Sequence, residues 1–108
     1  MQAEFYIVTT TVGNETTAAE LARRIVEARL ARCVQIVPRI RSIYHWDGEI
    51  CDDEESLLIL KTARKNLDQL LKTLPTLHPY EVPEILVTPV TDGHKPYLKW
   101  LDEWIYGD

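Results

Sequence analysis

The dipeptide Asp47-Gly48 is the feature that most constrains how this chain folds. Asp-Gly between strand-like segments is a strong signal for a two-residue hairpin loop, because that turn needs positive φ angles at both central residues. Strand-like sequence runs outward on both sides, as CVQIVPRIRSIYHW before the loop and EICDDEESLLILKT after it. With about fourteen residues per strand, the hairpin would be about 45 Å long. The radius of gyration expected for a domain of this size is only about 13 Å. The outer part of the hairpin must therefore protrude from the core or bend over it.

The two-residue loop also sets the register of the hairpin, because residues at equal distances from the loop on the two strands face each other. The rule pairs Trp46 with Glu49 and, further from the loop, Arg41 with Glu54, Ile43 with Asp52, Val37 with Leu58 and Ile36 with Ile59. It places Cys33 and Cys51 roughly 36 Å apart along the ladder, whereas a disulfide needs Cα atoms within about 7 Å. We therefore expect two free thiols. Pro38 cannot donate to a ladder, so it predicts a bulge or an edge position.

The outer part of this hairpin is interpreted as an assembly arm. A two-stranded ribbon is only marginally stable alone in water, so its protruding part needs a partner. Arg39, Arg41, Ile43 and Glu54 are the residues assigned to the arm. Head-to-tail exchange of sheet edges between copies closes into a ring, and three copies would close one. The residues alone do not fix that number.

The remaining segments predict one α+β domain spanning residues 1–108. An apolar run over 4–11 predicts a strand, and periodic apolar residues over 15–31 predict an amphipathic helix. ARKNLDQLLKTLPTL predicts a second helix that Pro75 ends or distorts. A short strand over 84–90 and a C-terminal helix from KPYLKWLDEWIY complete the order. The resulting β-α-β-β-α-β order is the ferredoxin-like arrangement, with two helices on one face of the sheet.

Charge and composition restrict the function classes. The formal net charge is −5 and no basic cluster occurs, which disfavours binding to nucleic acid or to an anionic membrane. No apolar run has the length of a membrane span or the features of a signal peptide, so we expect a cytoplasmic protein. The sequence contains no GxSxG, no phosphate-binding glycine loop and no HExxH, and the prediction is that it is not an enzyme.

The segment HPYEVPE is the most concentrated candidate site. Its prolines would hold His78, Glu81 and Glu84 in an extended stretch, as a candidate metal site that recruits further ligands from elsewhere. A small-molecule or anion pocket, or a plain rigid connector, fits the same residues. Lys61, which emerges from an apolar strand, fits an anion-binding cleft or a strand-end charge that reaches water.

The motifs CVQIVP, SIYHWDGE, LKT and HPYEVPEI occur in this order, and the chain resembles the CutA family of divalent-cation tolerance proteins. The resemblance implies ferredoxin-like domains that assemble into homotrimers through their long hairpins. It also implies a role in tolerance to copper and other divalent metals, with no required cofactor and no settled enzymatic activity. It further implies a cleft between subunits, lined or supported by His78, Glu84 and the cleft residues Tyr44, Trp46, Lys61 and Tyr80.

Two departures from the family pattern matter. Relatives proposed to bind copper carry a cysteine and a His-His pair where this chain has Thr9 and Leu77-His78, which weakens the expected copper affinity. Arg39 and Arg41 stand where relatives commonly have Gly and Thr, and we interpret them as added ion pairing. Three hypotheses follow: a trimeric metal-response protein with possible direct binding of copper or a similar ion, a trimeric regulator that binds a small anion in its cleft, and a structural trimer that serves another protein.

Overall fold

The computed structural model describes residues 3–103, which form one antiparallel sheet and the helices packed against it. The strands are β1 Phe5–Val12, β2 Cys33–Trp46, β3 Glu49–Ala63 and β4 Ile85–Pro89. The helices are α1 Glu15–Glu27, α2 Arg64–Leu77 and α3 Lys95–Glu103. The strand order in the sheet is β2-β3-β1-β4. This confirms the α+β class and the ferredoxin-like order with its long β2–β3 hairpin and C-terminal helix.

Helix α1 begins as expected and ends early. The Asn14 side chain caps it by accepting a hydrogen bond of 2.8 Å from the Thr17 N–H. At its other end Arg29 has a φ of 60°, and the Leu30 N–H donates to the Ile25 carbonyl. That pattern closes a helix with one left-handed residue. The prediction that this helix extends to residue 31 is therefore wrong, because the buried Leu30 continues the apolar period without continuing the helix.

Helix α2 is less affected by its proline than predicted. It runs two residues past Pro75, to Leu77. The proline only removes a donor near the end of the helix, where the helix has few bonds left to make.

The core lies on one face of the sheet. Alternate residues of β1 and β3 point to that face and contact the apolar stripes of α1 and α2. The fully or nearly fully buried members include Val8, Val12, Leu58, Leu60, Leu21, Ile25, Leu70 and Leu74. This arrangement confirms the prediction that two helices cover one face of the sheet. The opposite face has to be covered by other elements.

Helix α3 covers only one end of that opposite face. The Arg32 guanidinium lies 4.1 Å from the centroid of the Trp100 ring and donates to the Trp100 carbonyl at 2.7 Å. Lys61 Nζ lies 6.0 Å from the centroid of the Tyr97 ring. Further along the same face, Val37 and Leu86 remain 41% and 59% exposed. Apolar surface of the sheet is therefore left open.

The hairpin register is correct in its outer half and wrong by one residue in its inner half. Trp46 pairs with Glu49, Ile43 with Asp52 and Arg41 with Glu54, as predicted. Closer to the core, Val37 pairs with Leu57 instead of Leu58, and Ile36 with Leu58 instead of Ile59. The shift falls between Val37 and Ile40, where Pro38 and Arg39 together oppose one residue of β3. The predicted register assumed a ladder without a bulge, so it is wrong by one residue on the inner side of Pro38 and Arg39. Pro38 thus lies both at a bulge and on an edge strand.

The outer half of the hairpin extends beyond the helices. We use "arm" for residues 40–55, which span Ile40 to Trp46, the loop, and Glu49 to Glu55. The molecule measures 44 × 27 × 22 Å, with a Cα radius of gyration of 14.5 Å. Ile43 and Ile50 on the arm are 64% and 73% exposed. Within residues 3–103, no helix combines the length and the apolar character needed to span a bilayer.

Candidate functional site: the cleft at the base of the arm

A cleft of about 750 Å³ lies between the arm and the segment that joins α2 to β4. We call it the arm-base cleft. Its lining consists of Thr11, Ser42, Ile43, Tyr44, Trp46, Glu55, Tyr80, Glu81, Val82 and Glu84. The arm supplies one wall, and HPYEVPE, which bends over residues 79–82, supplies the other. The prediction that this segment is extended is therefore wrong over those residues. The structure thus brings together Tyr44, Trp46, Tyr80, Glu81 and Glu84 from the predicted site residues.

His78 fixes the connecting segment to the sheet. Its ring is 7% exposed, and its Nε2 lies 2.9 Å from the Thr11 carbonyl oxygen. Its Nδ1 accepts a hydrogen bond of 3.1 Å from the Tyr80 N–H. Because a carbonyl can only accept, Nε2 carries the proton and the imidazole is neutral. Burial lowers the pKa of His78, which favours the same neutral form. Both ring nitrogens are therefore occupied by backbone groups.

Two tyrosines link the cleft to the acidic strand of the arm. The Tyr80 hydroxyl donates to Glu55 Oε2 at 2.9 Å, and the Tyr44 hydroxyl donates to Asp53 Oδ2 at 2.5 Å. Burial, and then the bond to Glu55, raises the pKa of Tyr80 to about 12. The bond to Asp53 is the main cause that raises the pKa of Tyr44. Both phenols are neutral donors at neutral pH, and each is anchored to a carboxylate.

The electrostatics of the cleft are acidic. Glu55, Glu81 and Glu84 line it, and none of its lining residues is Lys, Arg or His. Within residues 3–103, no ion pair reaches any of these three carboxylates. The cleft therefore attracts cations and repels anions.

The residues proposed as a metal set do not converge. Glu81 and Glu84 are exposed and border the cleft, while His78 lies behind it with both nitrogens engaged. In the part of the chain that the structure describes, no three His, Cys, Asp or Glu side chains are grouped to hold a metal ion. Direct binding by His78 would require it to release a backbone hydrogen bond.

Lys61 lies at the other end of the sheet. It pairs with Cys33 and Ile7 in the neighbouring strands, and its ammonium group approaches Tyr97 of α3. It lies six positions from Glu55 along β3, which is about 20 Å along a strand. Within one chain, Lys61 is therefore not part of the arm-base cleft.

Of the residues assigned to the arm, Arg41, Ile43 and Glu54 lie on one face of the ribbon, and Arg39 lies in the bulge at its base. Arg41 faces Glu54 in the ladder, but its guanidinium makes a bidentate pair with Asp52, at 2.9 and 2.7 Å. This pair raises the pKa of Arg41 and lowers that of Asp52. Arg39 occupies the bulge with a φ of 58°. That angle gives a backbone reason for a glycine at this position, where the sequence suggested only a change of charge.

Glu55 and Asp53 are the residues that sequence reasoning missed. Neither of these two residues of the run DDEE was assigned to the cleft, and both anchor a cleft tyrosine. The register could have identified one of them, because it places Asp53 diagonally from Tyr44 on one face of the hairpin. The contact between Tyr80 and Glu55 depends on the tertiary fold and has no local signal.

The comparisons with known proteins agree with this fold. A family model described as CutA1 divalent ion tolerance protein matches residues 6–104. The divalent-cation tolerance protein CutA of Thermus thermophilus is 45% identical over 97 residues, covering 90% of this chain and 94% of that protein. The crystal structure of CutA1 from Oryza sativa has a TM-score of 0.91 at 37% identity and covers 99% of this chain and 98% of that one.

Relatives differ in length and in compartment. The chain spans 62% of the Xenopus laevis CutA homolog and about half of the mouse protein, at 52%. An Archaeoglobus fulgidus structure is titled periplasmic, with 31% identity, a TM-score of 0.87 and coverage of 92% and 96%. An Arabidopsis thaliana relative, 43% identical over 88% of this chain and 52% of its own length, is named chloroplastic. With the family model matching nearly the whole chain, the protein belongs to the CutA1 divalent ion tolerance family.

Proposed function

We propose that this protein acts in divalent-cation tolerance as a cytoplasmic homotrimer, without a catalytic step of its own. Family membership supports the role in tolerance. The exposed arm is the observation that supports assembly. No nucleic acid or membrane surface is expected as a partner, because the net charge is −5.

The arm needs a second surface to be stable. Its ladder of backbone hydrogen bonds stands outside the core, and a ribbon of two strands is marginal by itself in water. Ile43 and Ile50 are diagonal neighbours on the same face of the arm, and both are mostly exposed. Packing this face on another copy would remove that apolar surface from water.

A ring of three copies is favoured over a two-fold dimer by the two different edges of the sheet. Strand β2 forms one edge and β4 forms the other. Contact between unlike edges is head-to-tail, and such contacts continue until a ring closes. The open apolar positions Val37 on β2 and Leu86 on β4 would be covered by the same contact.

Native mass spectrometry combined with light scattering tests the assembly. We expect a trimer at micromolar concentration for the full chain. The double substitution Ile43→Lys/Ile50→Lys should dissociate it, because each change puts a charge into the proposed contact. The matched control Thr16→Lys/Ala19→Lys adds the same two positive charges to exposed positions of α1 and should leave the trimer intact. A monomeric full chain would contradict the proposal.

Direct binding of copper or a similar divalent metal is the finer part of the proposal. Within one chain, Glu81 and Glu84 offer carboxylates and His78 offers no free nitrogen. Binding would therefore use carboxylates brought together between copies, or it would be weak. Calorimetry with copper, zinc and cobalt checks this, and Glu81→Gln/Glu84→Gln should remove any saturable heat. No saturable heat for the unchanged protein would limit its role to tolerance without direct binding.

A cleft-binding regulator is the second candidate function, and the volume of the arm-base cleft favours it. Sites for small ligands commonly have volumes of roughly 300–1,000 Å³, and the cleft lies in that range. An anionic ligand, as the sequence suggested, would need Lys61 from a neighbouring copy because the cleft itself has no cation. A thermal-shift screen of nucleotides and carboxylate metabolites tests that version, since a bound ligand raises stability by mass action.

A further inference from the structure

We infer that the arm-base cleft binds an organic polycation, such as a linear polyamine, in preference to an anion or a bare metal ion. The inference concerns the ligand of the cleft, and it does not depend on the proposed trimer, because one chain supplies both walls.

The cleft has room for an organic molecule. Its volume of about 750 Å³ is many times that of a water molecule or a single ion. Its two walls come from different parts of the chain, the arm and the α2–β4 connection, and the Tyr80–Glu55 bond ties them together. The cleft is thus a built concavity whose walls are held by specific contacts.

The charge of the cleft selects a cation. Three carboxylates border it and no basic side chain lies among its lining residues. In the described structure Glu81 and Glu84 have neither an ion pair nor a hydrogen-bond donor, so their charge is available to a ligand. An anion placed there would meet three like charges, while an ammonium group would meet three opposite ones.

The aromatic side chains favour an ammonium carried on a carbon chain. Tyr44, Trp46 and Tyr80 supply three rings to the lining. Aromatic rings attract alkylammonium groups through cation–π interactions, each contributing roughly 0.5–2 kcal/mol. They also contact methylene groups, which a hydrated metal ion lacks. Tyr44 and Tyr80 are held by bonds to Asp53 and Glu55, so little ordering of these rings is left for the ligand to induce.

The spacing of the carboxylates argues against a bare metal. Metal ions require ligand atoms that converge to within about 2.0–2.6 Å of one point. No such group of three acidic or metal-binding side chains exists within residues 3–103. Carboxylates spread along a cleft instead match charges spread along a flexible chain, which is the chemistry of a polyamine.

Calorimetry on the full chain tests the inference, with spermidine, a linear triamine, as the probe and with 0.15 M salt to screen nonspecific attraction. We expect saturable heat for spermidine and none for citrate. Glu81→Gln/Glu84→Gln should weaken spermidine binding at least tenfold. Glu20→Gln/Glu27→Gln, which removes the same charge from exposed positions of α1, should leave it unchanged. Trp46→Leu, at a position already 58% exposed, should weaken spermidine binding without lowering the melting temperature.

The outcomes separate this inference from the proposed function. Absence of saturable spermidine heat, equal weakening by the two double variants, or tighter binding of citrate would each overturn it. Magnesium that displaces spermidine at equal concentration would overturn the preference over metals. Native mass spectrometry of the same sample reports assembly independently. A trimer that ignores spermidine contradicts only the ligand, and a monomer that binds it contradicts only the trimer.

Discussion

The inner and outer halves of the β2–β3 hairpin share one ladder and differ in almost everything else. In the inner half, Val34 and Ile36 of β2 pack against the core beside the fully buried Leu58 and Leu60. In the outer half, every residue from 43 to 50 is exposed. Backbone hydrogen bonds are equally regular in both, so they do not decide which half is stable alone. The difference teaches that burial against the core holds the inner half in place, while the outer half has no such burial within one chain.

The largest effect that tests this contrast is the loss of a core side chain. Leu58→Ala in the inner half removes a fully buried side chain and should cost about 2–5 kcal/mol of unfolding free energy. Ile50→Ala in the outer half, at 73% exposure, should cost the isolated protomer less than about 0.5 kcal/mol. Urea unfolding of both variants, at a dilution at which native mass spectrometry shows only monomer, measures the difference. Equal costs would mean that the two halves are not distinct in the protomer.

The next effect concerns His78, which connects the core to the arm-base cleft. His78→Ala leaves the buried Thr11 carbonyl and the Tyr80 N–H without their partner, at a cost of about 1–3 kcal/mol. The pH dependence has a definite sign. Because burial lowers the folded-state pKa, this contribution is full above the unfolded value of about 6.5. It falls as pH drops below that value towards the folded pKa. Thermal unfolding in the presence of a chelator checks this. Between pH 7.5 and pH 5.5 the melting temperature should fall further for the native chain than for His78→Ala, and equal falls would contradict the role of His78.

A smaller effect comes from Gly48 and Arg39, two of the three left-handed positions of the hairpin, of which Asp47 is the third. Gly48 at φ 79° tolerates no side chain without strain, so Gly48→Ala should cost about 1–2 kcal/mol. Arg39 at φ 58° already carries that strain, so Arg39→Gly should be neutral or stabilise by up to about 1 kcal/mol. Denaturant midpoints measure both changes. A large loss in Arg39→Gly would show that its side chain, and not its backbone, determines this site.

The smallest effect belongs to the exposed Arg41–Asp52 pair. Asp52 has a pKa lowered by Arg41, so the pair adds stability above the unfolded carboxylate pKa of about 3.9. That stability disappears as pH falls through the folded value. Because the pair is solvent-exposed, Arg41→Ala should leave the unfolding midpoint at pH 7 nearly unchanged. A marked loss, or dissociation of the trimer, would show that the pair is buried at an interface.

Local signals in the sequence predicted the order of elements and the register of the arm, because a two-residue loop and apolar periods act over short distances. They could not place the inner register, since Pro38 indicated a bulge or an edge without showing that the bulge takes up one residue. The cleft was predicted in part: HPYEVPE indicated one wall, but the Tyr80–Glu55 bond joins residues 25 apart. His78 was considered as a metal ligand with Glu81 and Glu84, or as part of a pocket or a rigid connector, whereas its partners in the fold are the backbone groups of Thr11 and Tyr80.

The bulge at Pro38 and Arg39 affects the direction in which the outer half of the hairpin leaves the core. The strand pairing is regular on both sides of the bulge, where Val37 pairs with Leu57 and Ile40 with Glu55. Removing Arg39 would leave every other pair and the two-residue loop in place. The extra residue is therefore not needed to align β2 with β3. Bulges bend the strand that carries them and increase its local twist. At this position the bulge therefore bends β2 and sets the direction of the arm relative to the core of the protomer.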